Sequence, residues 1–304
     1  MPDAGAKFLV DMFRDMKSDF MFVGSCVGFI PHTAMGGEAN YDLAAPELIK
    51  KPLESVEDID KYDVDEVIKS MRNDPMYHKM LEQVRNAKEL VQGDEILCIG
   101  PVAPFTAAGQ LLGVEQLMEA LFDDEDGYVE KIMRFWNKIA VAYTKDMLDA
   151  GGEMVYMWDP VASGDLISPA MYEEFVVPAL SDLVKELHAV CPYIAMHICG
   201  DSSTRPGYIA QMGIDGFSVG DIDVVKASND ANGQIVMMGN LNPATTLINK
   251  SADEIYEISM CLCKSMANSG GFILSPGCDL SPLIPFENLQ AMAKAVDDYN
   301  ASLN

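Results

Sequence analysis

In the stretch AMHICGD, residues 195–201, a histidine and a cysteine stand two positions apart, and a glycine follows the cysteine. The run that holds them, YIAMHIC, is almost wholly apolar, the pattern of a strand buried on both faces. Residues i and i+2 of a strand point to the same side, so the imidazole of His197 and the thiol of Cys199 emerge together. A third candidate, Cys278, lies in ILSPGCDLSP near the end of another apolar run. One imidazole and two thiols are the donors zinc prefers, at roughly 2.0–2.3 Å. Three protein ligands leave a fourth position open, as catalytic sites do and structural sites do not. Two thiolates and a neutral histidine cancel the charge of Zn²⁺. Such a centre activates water weakly, but it can bind a substrate thiol, lower its pKa and keep it nucleophilic, which suits thiol alkylation. By spacing alone the same residues also fit ordinary core packing, since free cysteine is among the most buried residue types. Both readings stand at this point.

The elements that must position these side chains can be read from periodicity. Apolar runs at 19–27, 95–103, 154–162, 193–201, 216–221, 235–242 and 271–280 alternate with helical patterns at 114–122, 126–150, 168–191, 252–269 and 285–302. The third of these helical patterns opens with Ser168 and Pro169, a cap followed by the residue best tolerated in a first turn. Alternating strands and helices argue for an α/β barrel or a doubly wound sheet. Pro, Gly, Asp, Ser, His and Cys gather at the C-terminal ends of the runs, as in WDPVAS, HICGD, VGDID, GNLNP and SPGCDL, the face on which barrel enzymes build their sites. The expected fold is therefore α/β, a (β/α)8 TIM-type barrel. Seven runs are one short of eight and the chain opens on a helical pattern, so the first strand–helix unit is expected to be lacking. Residues 1–304 are expected to form a single barrel domain. Within it 41–94, acidic and strand-poor, is expected to be a helical insertion near the barrel mouth.

Composition removes several function classes. A formal net charge of −26 over 304 residues repels phosphate backbones, so no nucleic-acid partner is expected. No apolar run reaches spanning length and the N-terminus has no basic-then-apolar leader, so no membrane role and a cytoplasmic location are expected. Seven cysteines, mostly in apolar surroundings, fit a reducing compartment. Cys26 and Cys98 read as core residues. Cys261 and Cys263 lie two apart on a helical pattern and so face different sides, which rejects them as a metal pair. No phosphate loop or dinucleotide fingerprint is present.

The segments DPVASGDLISP (159–169), MHICGD (196–201), GNLNPATTL (239–247) and LSPGCDLSPLIPFENLQAM (274–292) together resemble the uroporphyrinogen decarboxylase superfamily. Within it they are most similar to the zinc-dependent methyltransferases that act on corrinoid proteins, of which the methylcobamide:coenzyme M enzymes are the type. The resemblance covers most of the chain after about residue 95 and only weakly the part before. It implies a (β/α)8 barrel with His197, Cys199 and Cys278 as zinc ligands. It also implies methyl transfer between a methylated corrinoid protein and a thiol such as coenzyme M, or delivery from another methyl donor, with the corrinoid supplied by the partner protein. The arginine-bearing N-terminal segment of true decarboxylases has no counterpart. Of five arginines (14, 72, 85, 134 and 205) only Arg205 follows a strand end at the expected mouth, so a substrate with many carboxylates would lack cationic partners. Porphyrinogen decarboxylation and a non-catalytic corrinoid-protein-binding barrel are the alternatives.

Asp159, Asp221 and Asn240 end successive runs and are candidate catalytic residues at the mouth. Asp159 would orient a ligand or substrate, or cap a tight turn. Asp221 would occupy the open metal position or sit behind the ligands. Asn240 would face substrate or hold loop backbone. Ser163 and Asp165 share the Asp159 loop. His32 and Glu38 belong to the loop after the first run, and His78 and His188 read as surface residues.

Overall fold

The computed structural model describes residues 2–24, 29–41, 46–91, 93–124 and 126–303; Cys26 lies outside them. Among the described residues nine strands form: β1 (Phe20–Phe22), β2 (Glu38–Asn40), β3 (Glu47–Lys50), β4 (Ile96–Ile99), β5 (Met154–Trp158), β6 (Ile194–Ile198), β7 (Gly216–Val219), β8 (Val236–Leu241) and β9 (Phe272–Pro276). All seven apolar runs become strands, each shorter than its run because the Gly-, Pro- and Asp-rich tail turns into loop. They make one parallel sheet in the order β1-β4-β5-β6-β7-β8-β9, with helices returning the chain between strands as parallel pairing requires. β2 and β3 form a separate antiparallel pair.

The continuous apolar runs follow from burial on both sides. Outward side chains such as Leu97, Val155, Met157, Met196, Phe217 and Met237 are fully buried beneath the helical layer. Inward side chains form a second cluster: Cys98, Met154, Ala195 and Met238, with Phe20, Phe22, Ile96, Tyr156 and Ile273 packed against them. Ala195 is the small member, set beside Tyr156 and Gly216 in register. Among the described residues no ladder joins β1 to β9. The sheet is therefore a curled barrel with an open side, and all five residues of β9 are only half-buried.

The segment 41–94 holds β3, a 3₁₀ turn (Val56–Lys61) and two helices, Val64–Asn73 and Pro75–Leu90. Its acidic composition hid the strand and the turn. Asp63 caps the first helix by accepting from the backbone N–H of Asp65 and Glu66, and Asp74 caps the second, which opens on Pro75, as expected for such sequences. Lys88, near the end of the second helix, pairs with Glu153 just before β5. That helix lies on the flank of the sheet.

Adding bulk to the inner layer should strain it. A β-carbon placed on Gly216 would stand 3.3 Å from the Ala195 methyl, so Ala195→Leu has no slack to enter. We expect a loss of about 1–3 kcal/mol, read as a lower urea midpoint at unchanged slope. Unchanged stability would show that the interior has room the packing denies.

Candidate metal centre

His197 is the fourth residue of β6, paired in register with Ser218 of β7. Both point inward, and the pairing sets the imidazole. Nδ1 lies 3.1 Å from the Ser218 hydroxyl and 3.2 Å from the Ser218 carbonyl oxygen. The carbonyl can only accept, so Nδ1 carries the proton and Nε2 keeps its lone pair. Nε2 faces Cys199 Sγ at 3.0 Å. Cys199 lies one residue past the end of β6 and keeps the inward direction of the alternation. Gly200 then turns the chain through a left-handed conformation, φ 66°, which glycine adopts without steric cost. A β-carbon there would stand 2.2 Å from the Asp165 carboxylate.

Cys278 arrives from β9, three strands away, with its Sγ 3.5 Å from that of Cys199. Gly277 permits this: its backbone packs against Gly220 so closely that a β-carbon would meet the Gly220 Cα at 3.2 Å. The three donor atoms lie within 4.8 Å of one another. Tetrahedral zinc with bonds of roughly 2.0–2.3 Å separates its ligands by roughly 3.3–3.8 Å. The donor types and the spacing therefore fit a metal ion. The two sulfurs lie within hydrogen-bond reach of each other. Cys278 is held well below the usual thiol range, chiefly by the hydrogen bond from Cys199, while Cys199 is held up by Cys278 and by burial. His197 is buried, Cys199 half-buried and Cys278 exposed, so the cluster opens to solvent on the Cys278 side.

The other expected site residues surround this cluster without joining it. Asp159 is fully buried. Its Oδ1 accepts from the backbone N–H and hydroxyl of Thr106 at 2.8 and 2.6 Å, which fastens the end of β5 to the first turn of the helix Pro104–Leu112. Its backbone N–H donates to the carbonyl of His197 at 2.9 Å. Burial, offset in part by Thr106 and by the charge of Arg205, lifts its carboxyl up to about 7. Asp221 is exposed and accepts from the Asn242 amide at 3.2 Å. Asn240 donates through Nδ2 to the carbonyls of Gly220 (2.8 Å) and Ile222 (2.7 Å), holding the loop after β7 in place. Asp165 accepts from the Asp201 N–H and the Ser163 hydroxyl, tying the loop after β5 to the loop after β6. His32 is not in an open loop: it is buried in the helix Ile30–Ala34 between the rings of Phe29 and Trp136. Glu38 is exposed on β2. His78 is exposed, and the His188 ring bonds the Gly213 carbonyl. Cys98 is buried and its thiol is pushed up to about 12 by that burial. Cys261 is exposed and Cys263 buried, so the two do face different sides.

Three residues gained roles that sequence reasoning missed. Ser218 orients the histidine; its place at an inward position of GFSVGD was the available signal. Thr106 receives Asp159, with no signal beyond its position near the start of a helix. Arg205 is fully buried. Its guanidinium donates to the carbonyls of Ala162 and Ile167 and to the Thr204 hydroxyl, and stacks on Tyr172 at 4.4 Å. It is committed to joining two loops and does not reach into the mouth as a cation for substrate.

The chain is similar to known proteins along most of its length. The sequence model of the uroporphyrinogen decarboxylase (URO-D) family matches residues 1–299. The methylcobamide:CoM methyltransferase MtbA of Methanosarcina acetivorans is 28% identical over 256 residues, 84% of this chain and 72% of that protein. The methylated-thiol–coenzyme M methyltransferase of Methanosarcina mazei is 34% identical over 208 residues, 66% of this chain and 53% of that protein; the match spans about half the length of that relative. A solved methyltransferase structure from Methanosarcina mazei superposes with a TM-score of 0.81 at 23% identity, covering 98% of this chain and 86% of its own. Among the described residues no helix is long and apolar enough to cross a membrane.

The Asp159 carboxyl gives a pH signature. Its pKa is raised on folding from 3.8 to about 7, so the stability tied to its neutral form is full below about pH 4 and is lost as pH rises through 7. The shift corresponds to a loss on the order of 4 kcal/mol. Asp159→Asn removes that loss and keeps an acceptor for Thr106. Urea unfolding at pH 5 and pH 8 should show the variant gaining on the native chain as pH rises. A constant difference between the two pH values would contradict the burial argument.

Proposed function

The chain belongs to the uroporphyrinogen decarboxylase family, and on that premise we propose that it is a zinc-dependent methyltransferase moving a methyl group between a methylated corrinoid protein and a small thiol. The observation that carries this reading is the convergence of one imidazole nitrogen and two sulfurs within 4.8 Å at a solvent-open end of the sheet. The names of the relatives support the reaction class. The buried, committed Arg205 argues against a substrate with many carboxylates, and so against porphyrinogen decarboxylation.

His197, Cys199 and Cys278 would hold the ion. Bound zinc would supply Lewis acidity that keeps a substrate thiol as its thiolate near neutral pH. The residues of the chain do the rest. Ser218 fixes the tautomer and plane of His197, the role that residues behind metal-binding histidines play. Cys199 and Cys278 bring negative charge, which keeps the bound sulfur electron-rich. Asp159 is a positioning residue: it anchors the end of β5 and bonds the backbone of His197. Asn240 and Asp221 shape the rim, Asn240 by holding the Gly220 and Ile222 carbonyls and Asp221 through Asn242. The exposure of Cys278 leaves room for a protein partner carrying the corrinoid. The partner's corrinoid would supply an electrophilic methyl group, and the walls of the mouth would align the substrate sulfur with it, an alignment that would govern the rate.

Zinc content is the direct test. The protein purified with zinc available should hold about one ion per chain, and His197→Ala, Cys199→Ala or Cys278→Ala should each bring this near zero with helix content retained. Methylation of a thiol by methylcobalamin should fall by more than about 100-fold in each variant. Zinc-free native protein, or full zinc in all three variants, would sink the proposal. Ser218→Ala should keep the ion but weaken its affinity by about 10–100-fold, measured by chelator competition.

A further inference from the structure

We propose that Asn240 is a positioning residue for the metal centre: by pinning the turn after β7 it sets the separation of the two sulfurs. The inference rests on the metal-holding part of the reading above and not on the reaction that the ion serves.

The end of β7 is the place to which all three donors are referred. Ser218 bonds Nδ1 of His197. Two residues on, Gly220 lies between the two cysteine loops. A β-carbon there would stand 3.4 Å from the carbonyl oxygen of Gly277, 3.8 Å from that of Gly200 and 3.9 Å from the Gly200 nitrogen. Gly200 follows Cys199 and Gly277 precedes Cys278. A β-carbon on Gly277 would in turn meet the Gly220 Cα at 3.2 Å and the Val219 carbonyl oxygen at 3.4 Å. Three glycines thus bring the backbones of both cysteine loops against that of the turn, where a shift of the turn is passed on directly. Gly277 is also tied to β8, since its N–H donates to the Leu241 carbonyl at 2.8 Å.

The neighbour of Leu241 on β8 pins the turn itself. The Gly220 carbonyl accepts from the Ile222 N–H at 2.9 Å, a tight closure over two residues. Asn240 Nδ2 then donates to the carbonyls of Gly220 at 2.8 Å and Ile222 at 2.7 Å. An amide nitrogen carries two hydrogens, and both are used. The amide has none left for a substrate, so Asn240 acts on the donors through Gly220. Aspartate has the same shape and, when ionised, no hydrogen to give. Its charge would face two carbonyl oxygens, and the turn would have to open. Opening it moves Gly220 relative to Gly200 and Gly277, and so disturbs the 3.5 Å spacing of the sulfurs.

A clamp of the same kind lies elsewhere and serves as the control. Asn288, buried in the helix after β9, donates through Nδ2 to the carbonyls of Leu247 at 2.7 Å and Lys250 at 2.9 Å. Asn288→Asp removes two equivalent hydrogen bonds without touching the turn after β7.

The full chain is compared with Asn240→Asp, Gly220→Val and Asn288→Asp. Gly220→Val keeps the Asn240 bonds but drives extra carbons toward Gly277 and Gly200, so it reaches the same spacing by another route. Zinc affinity is measured by chelator competition, and the ligand field by the visible bands of the Co²⁺-loaded protein. The spacing of the thiols is read without metal, by the affinity of the metal-free chain for phenylarsine oxide, which condenses with two neighbouring thiols and releases water. Asn240→Asp and Gly220→Val should each weaken zinc by about 10–100-fold and shift the cobalt bands. Each should also weaken the arsenical about tenfold, because the second thiol is no longer held at the first. Asn288→Asp should lower the urea midpoint and leave all three site readouts at their native values. Native affinities and bands in both Asn240→Asp and Gly220→Val would overturn the inference, as would an equal loss in Asn288→Asp. Should Asn240→Asp fail to fold, Gly220→Val decides alone. A native chain that takes up neither zinc nor cobalt would defeat the metal reading, and the order of the arsenical affinities would still decide the role of Asn240.

Discussion

The two-residue period of a strand is the constraint on which this molecule depends. Because β6 is parallel, central and buried on both faces, His197 and Cys199 have no freedom to choose their side. The register with β7 then sets Ser218 beside the imidazole, and the serine decides which nitrogen faces the sulfurs. A one-residue slip of β6 would turn both donors under the helical layer and bring Ile198 into the mouth. The apolar residues between and beneath the donors, Met196 and Ile198 outward and Ala195 inward, are buried and make that slip costly. The chemistry of the site is thus secured by hydrophobic burial that never touches the reacting atoms.

Much of this was legible before any coordinates. Seven unbroken apolar runs became the seven parallel strands, and the polar residues gathered at their ends mark the mouth. The donor triangle was legible for the same reason, since alternation fixes direction within one strand and a shared mouth joins distant ones. Burial and pairing were not legible. Arg205 follows a strand end, as a substrate-binding arginine would, yet its guanidinium is turned into backbone carbonyls and the face of Tyr172. Asp159 ends a strand in a sequence rich in site-like residues, yet its carboxylate caps a helix. His32 reads as a loop histidine, but a single helical turn packs it between aromatic rings. In each case the deciding contact comes from an element remote in sequence. The short β3 in the acidic segment escaped notice because four residues with two charges carry no usable alternation.

Two electrostatic regimes lie side by side at the mouth. Behind the strand ends, Asp159, Thr106, Arg205 and Tyr172 form a dry layer, where burial makes the neutral form of a carboxyl competitive. In front of them, Asp165, Asp201, Asp221 and Asp279 are exposed, and water makes their charge cheap to maintain. The inner layer fixes geometry and the outer layer sets the potential that an approaching molecule meets. The overall charge of −26 belongs to the same logic, for it disfavours polyanionic partners well before contact.

The open side of the sheet has a further consequence for the third ligand. Cys278 is delivered by β9, an edge strand among the described residues, while Cys199 follows β6 in the middle of the sheet, 79 residues away in sequence. An ion held by both would act as a clasp between a central strand of the sheet and its margin. Opening of that margin and release of the ion would then be linked, and the helix that follows β9 would be steadier with the clasp shut.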